Sequence, residues 1–216
     1  MITTWIPIDC LLCGNPPKAL CDECAAGLPL CPREVSRRGL LPGFAFADYE
    51  GQAQILVHQF KLTGSSYLAQ VMANPMVDAL IEWLARQPAA GELPLVIVPA
   101  PSRPASIKHR GYVPAEVLAK ALKRGLGRRQ IASSVWNCVS FDRSVGDQSR
   151  LNALERSENL EGRVRVKTGV SSRLNGSRVV LLDDVVTTGS TIRNVALALE
   201  DSGVKPEIFL SFAETL

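Results

Sequence analysis

Two uninterrupted apolar runs constrain the fold more than any other feature of the sequence. Residues 93–101 read LPLVIVPAP and residues 178–184 read RVVLLDD. Strands that are apolar at every position, rather than at every second one, are typical of parallel sheets covered by helices on both faces. Segments of helical periodicity lie between and around these runs, so strand and helix alternate along the chain. The sequence therefore predicts an α/β fold built on a parallel sheet.

The same patterns predict the other elements. Shorter strands are expected at 43–51, 133–141, 162–167 and 207–214, the last of which should close the sheet. Helices are expected at 52–61, 65–87, 114–127, 150–160 and 190–203. Pro75 should kink or divide the second helix. We expect three parts: a cysteine-rich segment over 1–32, a basic linker with proline and glycine over 33–43, and a main domain over 44–216.

Composition narrows the class of protein. Of the 216 residues, 46% are hydrophobic, which is enough for a sizeable core. No apolar stretch approaches the roughly 20 residues of a membrane helix, and the N-terminal MITTWIPIDC does not read as a signal peptide. A net charge of +3 is too small to indicate nucleic-acid binding by itself. We expect a cytoplasmic protein without membrane insertion.

Five of the six cysteines lie within the first 31 residues. The spacing C-x2-C-x7-C-x2-C is formed by Cys10, Cys13, Cys21 and Cys24. Two short turns can then each present two thiolates to one ion, which predicts a structural Zn²⁺ site. The alternatives are a finger that has lost its metal, or reduced cysteines that serve as small apolar residues. Cys31 is a candidate substitute ligand, and Cys138 is expected in a buried strand.

Two neighbouring aspartates follow the second apolar run, in VVLLDDVVTTGST. In α/β sheets, ligands bind beyond the carboxyl ends of the strands, where helix N-termini attract anions. We expect a phosphate to be held by the turn Thr187, Thr188, Gly189, Ser190 and Thr191. Asp183 and Asp184 would accept hydrogen bonds from two sugar hydroxyls, directly or through a divalent cation. The alternative is an ordinary capped turn, which leaves both carboxylates unexplained.

A basic loop follows the first apolar run. It reads VPAPSRPASIKHRGY over 98–112 and contains Arg103, Lys108, His109 and Arg110. Arginine forks and a lysine point charge suit a pyrophosphate. The alternative is a solvated basic loop, and His109 alone does not indicate catalysis. The polar stretch 142–162, with Arg143, Gln148, Arg150 and Arg156, is either a lid that excludes water or an ordinary surface helix.

The stretch VVLLDDVVTTGST resembles the phosphoribosyl pyrophosphate (PRPP) loop of the type I phosphoribosyltransferases, with its apolar strand, acidic pair and T-T-G-x-T turn. This resemblance implies that the ligand is PRPP bound with Mg²⁺, and that Asp183 and Asp184 are the catalytic pair. With such a ligand, the charges of the basic loop favour Arg103, Lys108 and Arg110 as the residues that hold the pyrophosphate. Several members that act on hydroxypurines carry an aspartate where this chain has Thr187, so hypoxanthine and guanine are not expected acceptors.

The order of motifs along nearly the whole chain resembles the ComF family of competence-associated proteins. The motifs are the two cysteine pairs, Phe60-Lys61, VPAPSR…RGY, DQSRLNALERSENLEG and LLDDVVTTGST. That family usually continues from R-G-F into N-Q, whereas here Tyr112 is followed by Val113-Pro114. Many members also have a further cysteine pair where this chain has Cys31. The resemblance implies a phosphoribosyltransferase-like domain behind a small zinc finger, and a part in handling incoming single-stranded DNA.

Three functions follow from these patterns. The first is an enzyme that transfers the phosphoribosyl group to an acceptor. The second is a sensor that binds PRPP or a nucleotide without turnover. The third is an adaptor whose finger and basic segments, REVSRR and KRGLGRR, contact single-stranded DNA or a competence helicase.

Overall fold

The computed structural model of the chain describes residues 9–16, 18–36, 39–87, 93–141 and 164–215. Its centre is a six-stranded sheet with the order β1-β2-β8-β7-β3-β4. The strands are β1 (Arg33–Val35), β2 (Gly43–Asp48), β3 (Leu95–Pro99), β4 (Ser133–Val135), β7 (Arg178–Val186) and β8 (Ile208–Glu214). All neighbours pair in parallel except β1, which runs antiparallel to β2. The predicted α/β fold is confirmed, with a mixed and mostly parallel sheet.

Helices cover both faces of the sheet. They are α1 (Asp22–Ala26), α2 (Gly51–Thr63), α3 (Ser66–Ala85), α4 (Pro104–Arg110), α5 (Pro114–Arg128), α6 (Val170–Leu174) and α7 (Ser190–Asp201). Val180 and Leu182 of β7 pack in one core with α2, α3 and α5. Val179 and Leu181 pack in a second core with α6 and α7. Since alternate side chains of a strand face opposite ways, the uninterrupted apolar run of β7 fills both cores.

The last strand lies inside the sheet. The sequence predicts that it closes the sheet, but β8 pairs with both β2 and β7. All seven of its residues are buried. A central strand needs apolar side chains on both faces, which explains why this segment carries an apolar residue at nearly every position.

The segment predicted as a linker differs from that expectation. Arg33–Val35 forms the edge strand β1, with Arg33 opposite Ala45 and Val35 opposite Gly43. The Arg33 guanidinium also lies 2.6 Å from Asp48 and 3.7 Å from Glu214. These contacts join the segment to the main sheet, although proline, glycine and basic residues are typical of linkers.

The segment 133–141 is predicted as one strand, but the structure divides it into two. Ser133–Val135 is β4 of the main sheet, and Val139–Phe141 is β5, which pairs antiparallel with β6 (Val164–Val166) in a separate sheet. The chain leaves the main sheet after the Trp136 amide donates to the Ile97 carbonyl, at 2.9 Å. Cys138 is buried as expected, but it lies between the two strands.

One expectation about a helix also needs correction. Pro75 does not divide its segment into two helices, because α3 runs from Ser66 to Ala85 with Met72, Ala73 and Met76 buried around Pro75. That packing compensates for the backbone hydrogen bond that proline lacks.

Within the described ranges, no helix has both the length and the apolar character needed to cross a membrane.

The cysteine-rich segment shares a core with the main domain. Leu20 and Leu28 are buried in the same cluster as α2 and α3. The Tyr67 hydroxyl of α3 donates to the Leu20 carbonyl at 2.5 Å. The cysteine segment is therefore packed against the main domain through apolar and hydrogen-bonded contacts.

Candidate functional site

The acidic pair lies where one neighbouring strand stops. Pairing between β7 and β3 ends with Leu182 opposite Pro99, and the Ala100 amide then donates to the Leu182 carbonyl at 2.7 Å. The sequence places Asp184 at the end of the strand, but β7 continues to Val186 through its pairing with β8. Asp183 and Asp184 are thus held on a rigid strand and lie just beyond the end of β3.

Asp184 points to the side of α2. Its carboxyl oxygen Oδ1 lies 2.7 Å from Nζ of Lys61, and its side chain is only 9% exposed. Strand alternation places it on the same face as Val180 and Leu182, which pack against α2, α3 and α5. An ion pair with Lys61 therefore stabilises one of the two carboxylates from within the protein.

Alternation along β7 places Asp183 toward the opposite face of the sheet. Its Oδ1 accepts a hydrogen bond from the Asp184 amide at 2.8 Å. Burial and the neighbouring Asp184 carboxylate raise the pKa of the Asp183 carboxyl to about 8, although that hydrogen bond and Lys61 act in the other direction. The surroundings thus oppose a second negative charge at the pair, and a bound divalent cation would offset that repulsion, since carboxylate oxygens are ligands that Mg²⁺ prefers. The pair fits a divalent cation.

The hydroxyl-rich turn leads directly into α7. Gly189 precedes the helix with φ +77°, and a Cβ at this position would lie 2.9 Å from Leu40. The Ser190 amide donates to Thr188 Oγ1 at 3.3 Å, and the Thr188 and Ser190 hydroxyls are 3.1 Å apart. Thr187, Thr188 and Ser190 are exposed, and Thr191 is half-buried. Exposed hydroxyls at the start of a twelve-residue helix form a surface that suits an anion.

Residues of the 33–43 segment support this turn. Leu40 packs against Gly189, and Nε of Arg193 in α7 donates to the Gly39 carbonyl at 2.9 Å. A pocket of about 610 Å³ opens beside the turn and is lined by Glu34, Val35, Ser36, Thr187, Thr188, Glu214 and Thr215. The edge strand β1 therefore forms one wall of the space next to the turn.

The basic loop contains a helix that the sequence reading did not predict. Pro104 begins α4, and Gly111 ends it in a left-handed conformation with its amide donating to the Ile107 carbonyl. Arg103 and Lys108 are exposed, and Arg110 is half-buried. The loop follows β3, the strand paired with β7, so these cations lie at the same edge of the sheet as the acidic pair.

Tyr112 joins the basic loop to α2. Its hydroxyl donates to the carbonyls of Phe60, at 3.0 Å, and Lys61, at 2.8 Å. Its ring lies against Gly64, where a Cβ would be 3.0 Å from the ring. The sequence identifies Phe60-Lys61 and Arg110-Gly111-Tyr112 as motifs but does not predict that they contact each other or that Lys61 contacts Asp184.

The four cysteines of the predicted zinc site come together. Their sulfur atoms all lie within 4.8 Å of one another. Amides of Cys21 and Cys24 donate to the sulfurs of Cys10 and Cys21, both at 3.4 Å. Burial raises the pKa of the Cys10 thiol, but backbone hydrogen bonds from Cys21, Cys13 and Leu12 outweigh it and lower that pKa to about 6. Four clustered sulfurs with amide donors fit a structural metal such as zinc.

Two further expectations concern Cys31 as a substitute metal ligand and the polar stretch 142–162 as a lid. Cys31 is exposed and lies outside the four-cysteine group, so the structure does not support it as a substitute ligand. The proposed lid residues Arg143, Gln148, Arg150 and Arg156 lie outside the described residues.

Comparison with known proteins identifies the family. Residues 65–211 match the phosphoribosyl transferase domain family, and this range contains the basic loop, the acidic pair and the hydroxyl turn. The chain is 30% identical to DNA utilization protein YhgH of Salmonella typhimurium over 199 residues, which cover 90% of this chain and 78% of that protein. It is 28% identical to Competence protein F of Haemophilus influenzae over 151 residues, which cover 70% of this chain and 63% of that protein. The chain belongs to the ComF family of phosphoribosyltransferase-like proteins.

A third relative is similar to this chain over most of its length. DNA utilization protein YhgH of Escherichia coli strain K12 is 28% identical over 193 residues, which cover 86% of this chain and 80% of that protein. The phosphoribosyl transferase domain match and the clustered sulfurs confirm the predicted fold, a phosphoribosyltransferase-like domain with an N-terminal four-cysteine cluster. The roles of individual site residues stay predictions.

Proposed function

We propose that this ComF-family protein binds PRPP together with Mg²⁺ at the carboxyl edge of β3 and β7. The observation that carries the proposal is the position of the acidic pair on β7, next to the hydroxyl turn that begins α7. The basic side chains that follow β3 lie at the same edge. Acidic, hydroxyl and basic groups are then available for the ribose, the 5-phosphate and the pyrophosphate.

Each part of the ligand has matching chemistry in the chain. The 5-phosphate would lie on the amides and hydroxyls of residues 187–191, where the helix start favours an anion. Asp183 and Asp184 would accept hydrogen bonds from the ribose hydroxyls. Arg103, Lys108 and Arg110 would hold the pyrophosphate, and Arg103 and Lys108 are exposed enough to reach it. Bound Mg²⁺ would supply charge neutralisation for the phosphates.

Transfer to an acceptor would proceed by positioning and charge stabilisation. The pair Asp183 and Asp184 would orient the ribose, while the cations of the basic loop stabilise the charge that develops on the leaving pyrophosphate. The acceptor would enter the pocket beside Thr187 and Thr188, because this space borders the turn and is open to a second molecule.

Calorimetric titration of PRPP, with and without Mg²⁺, tests the binding proposal. We expect Mg²⁺-dependent binding that is lost in the double variant Asp183→Asn/Asp184→Asn, because neutral amides no longer attract the cation. Unchanged affinity in this variant would contradict the site assignment. A pyrophosphate assay on the same samples separates an enzyme from a sensor, since only turnover releases pyrophosphate.

A second candidate function is the handling of single-stranded DNA. The relatives are named for DNA utilization and for competence. Within α5, the exposed side chains Lys120, Lys123, Arg124 and Arg128 share one face, and Leu118, Leu122 and Leu126 are buried on the other. From residue 120 to 128 this face spans about 12 Å of helix, which suits more than one backbone phosphate. In the other basic segment, REVSRR over 33–38, Arg33 already forms ion pairs with Asp48 and Glu214.

Charge reversal on α5 tests this second function. We expect Lys123→Glu/Arg124→Glu to weaken the binding of a single-stranded oligonucleotide and to reduce the salt dependence of that binding. Lys167→Glu/Lys205→Glu is the matched control, because it changes the net charge equally at exposed positions outside α5. Equal losses in both variants would show a general charge effect and would contradict a binding face on α5.

A further inference from the structure

An ammonium group of the protein lies beside the acidic pair. Nζ of Lys61 lies 2.7 Å from Oδ1 of Asp184. The Lys61 side chain is 31% exposed, whereas that of Asp184 is 9% exposed. The lysine therefore reaches a buried carboxylate from the solvent side, and it occupies the space that a cation bound to Asp184 Oδ1 would need.

The structure fixes the helix end that carries this lysine. Lys61 lies in the last turn of α2, where carbonyl groups lack helical partners. The Tyr112 hydroxyl donates to the carbonyl of Lys61 itself and to that of Phe60, which also accepts from the Gly64 amide. Gly64 then ends the helix with φ +61°, close against the Tyr112 ring. Any motion of Lys61 is thus confined to its side chain, because its backbone is held.

We propose that Lys61 is a specificity-determining residue that makes the site select Mg²⁺ accompanied by a polyphosphate over free Mg²⁺. Free Mg²⁺ must displace the ammonium group from Asp184 or bind beside it, and the two cations repel each other. When the metal arrives with PRPP, the displaced ammonium finds phosphate oxygens nearby and the repulsion is offset. The inference rests on the proposed function, and Tyr112 acts within it as a positioning residue.

Removing the charge of Lys61 should change the affinities for free Mg²⁺ and for Mg²⁺–PRPP in opposite directions. In Lys61→Gln we expect free Mg²⁺ to bind on the order of tenfold more tightly, and Mg²⁺–PRPP on the order of tenfold more weakly. Lys61→Arg keeps the charge and should keep the wild-type order of affinities. A lysine with only a structural role would weaken both ligands on removal, so the opposite signs identify the specificity role.

Isothermal titration of MgCl₂ alone, and of PRPP at saturating MgCl₂, measures both affinities in the full-length chain. Tyr112→Phe should shift both affinities in the same directions as Lys61→Gln, but by less. Tyr67→Phe is the matched control, since it removes a tyrosine-to-carbonyl hydrogen bond at the cysteine segment, and both affinities should stay at the wild-type values.

Unchanged or weaker binding of free Mg²⁺ in Lys61→Gln would overturn the inference, even if the wild type binds PRPP. If free Mg²⁺ binds more tightly in Lys61→Gln while no variant binds PRPP, the displacement of Lys61 by a cation is supported and PRPP is the wrong anion. If Lys61→Gln does not fold, the affinities of Tyr112→Phe for free Mg²⁺ and for Mg²⁺–PRPP test the inference instead. Wild-type values of both affinities in Tyr112→Phe would contradict the role of Tyr112 in positioning Lys61.

Discussion

At Asp183, the folded protein raises the pKa of a carboxyl group to about 8, mainly through burial and the adjacent Asp184. An acid whose pKa is higher in the folded state than in the unfolded state contributes stability at low pH. This contribution is fully present below the unfolded pKa near 4 and is lost as the pH rises through about 8. The ligand-free protein should therefore lose stability across this range.

We expect Asp183→Asn to be more stable than the wild type at pH 9, by up to a few kcal/mol, and to differ less at pH 5. The asparagine carries no charge at either pH, so the difference measures the cost of ionising Asp183. Thermal unfolding of both proteins at pH 5, 7 and 9 without ligand checks this. A stability difference that does not change with pH would contradict the raised pKa.

Sequence patterns point to candidate site residues most readily where those residues are close together in the chain. The cysteine spacing, the acidic pair and the hydroxyl turn each lie within a short stretch, and the structure brings the four cysteines together as predicted. The ion pair between Lys61 and Asp184 was not predicted, because the two residues are far apart in the chain and meet only when α2 docks on the sheet. The contact of Tyr112 with the end of α2 was missed for the same reason.

Among the elements, the turn before α7 depends on a segment from the other edge of the sheet. Gly189→Ala should be destabilising for two reasons, the left-handed backbone and a methyl group at 2.9 Å from Leu40. Gly176→Ala is the control, since its φ is +73° and no atom lies within 4 Å of the added Cβ. We expect a loss of about 1 kcal/mol for the control and a larger loss for Gly189→Ala in denaturant unfolding. Equal losses of stability in the two variants would show that the Leu40 side chain moves aside without a measurable energetic cost.

The errors in the predicted elements share a physical cause. The strand β1 contains Arg-Glu-Val, which has little intrinsic preference for a strand, and it is held by pairing with β2 and by the ion pairs of Arg33. The division of 133–141 depends on where β3 stops offering backbone partners, as the Trp136 amide shows. Periodicity describes a segment by itself, so it predicted the strands β3 and β7 and the helices α2, α5 and α7, and missed elements that are created by their neighbours.

For the molecule as a whole, the cysteine segment and the main domain share one core. Removal of a metal should therefore lower the stability of the entire chain, because Leu20 and Leu28 pack with α2 and α3. We expect about one zinc per chain by elemental analysis, lost in Cys10→Ser/Cys13→Ser together with a clear drop in Tm by calorimetry. Cys31→Ser is the control and should keep both the metal and the Tm. Zinc-free protein as purified, or an unchanged Tm in the double variant, would contradict this expectation.

The position of β8 affects how the chain can fold as it is synthesised. This strand follows every other described strand in the sequence, yet it lies between β2 and β7 and joins them. Until residues 208–214 leave the ribosome, β2 has no parallel neighbour, and the long edge of β7 stays open. Such delayed, long-range pairing slows folding and leaves apolar strand edges available to other chains. A nascent chain stalled before residue 208 should therefore bind chaperones that recognise exposed strands, and should release them once the final strand inserts.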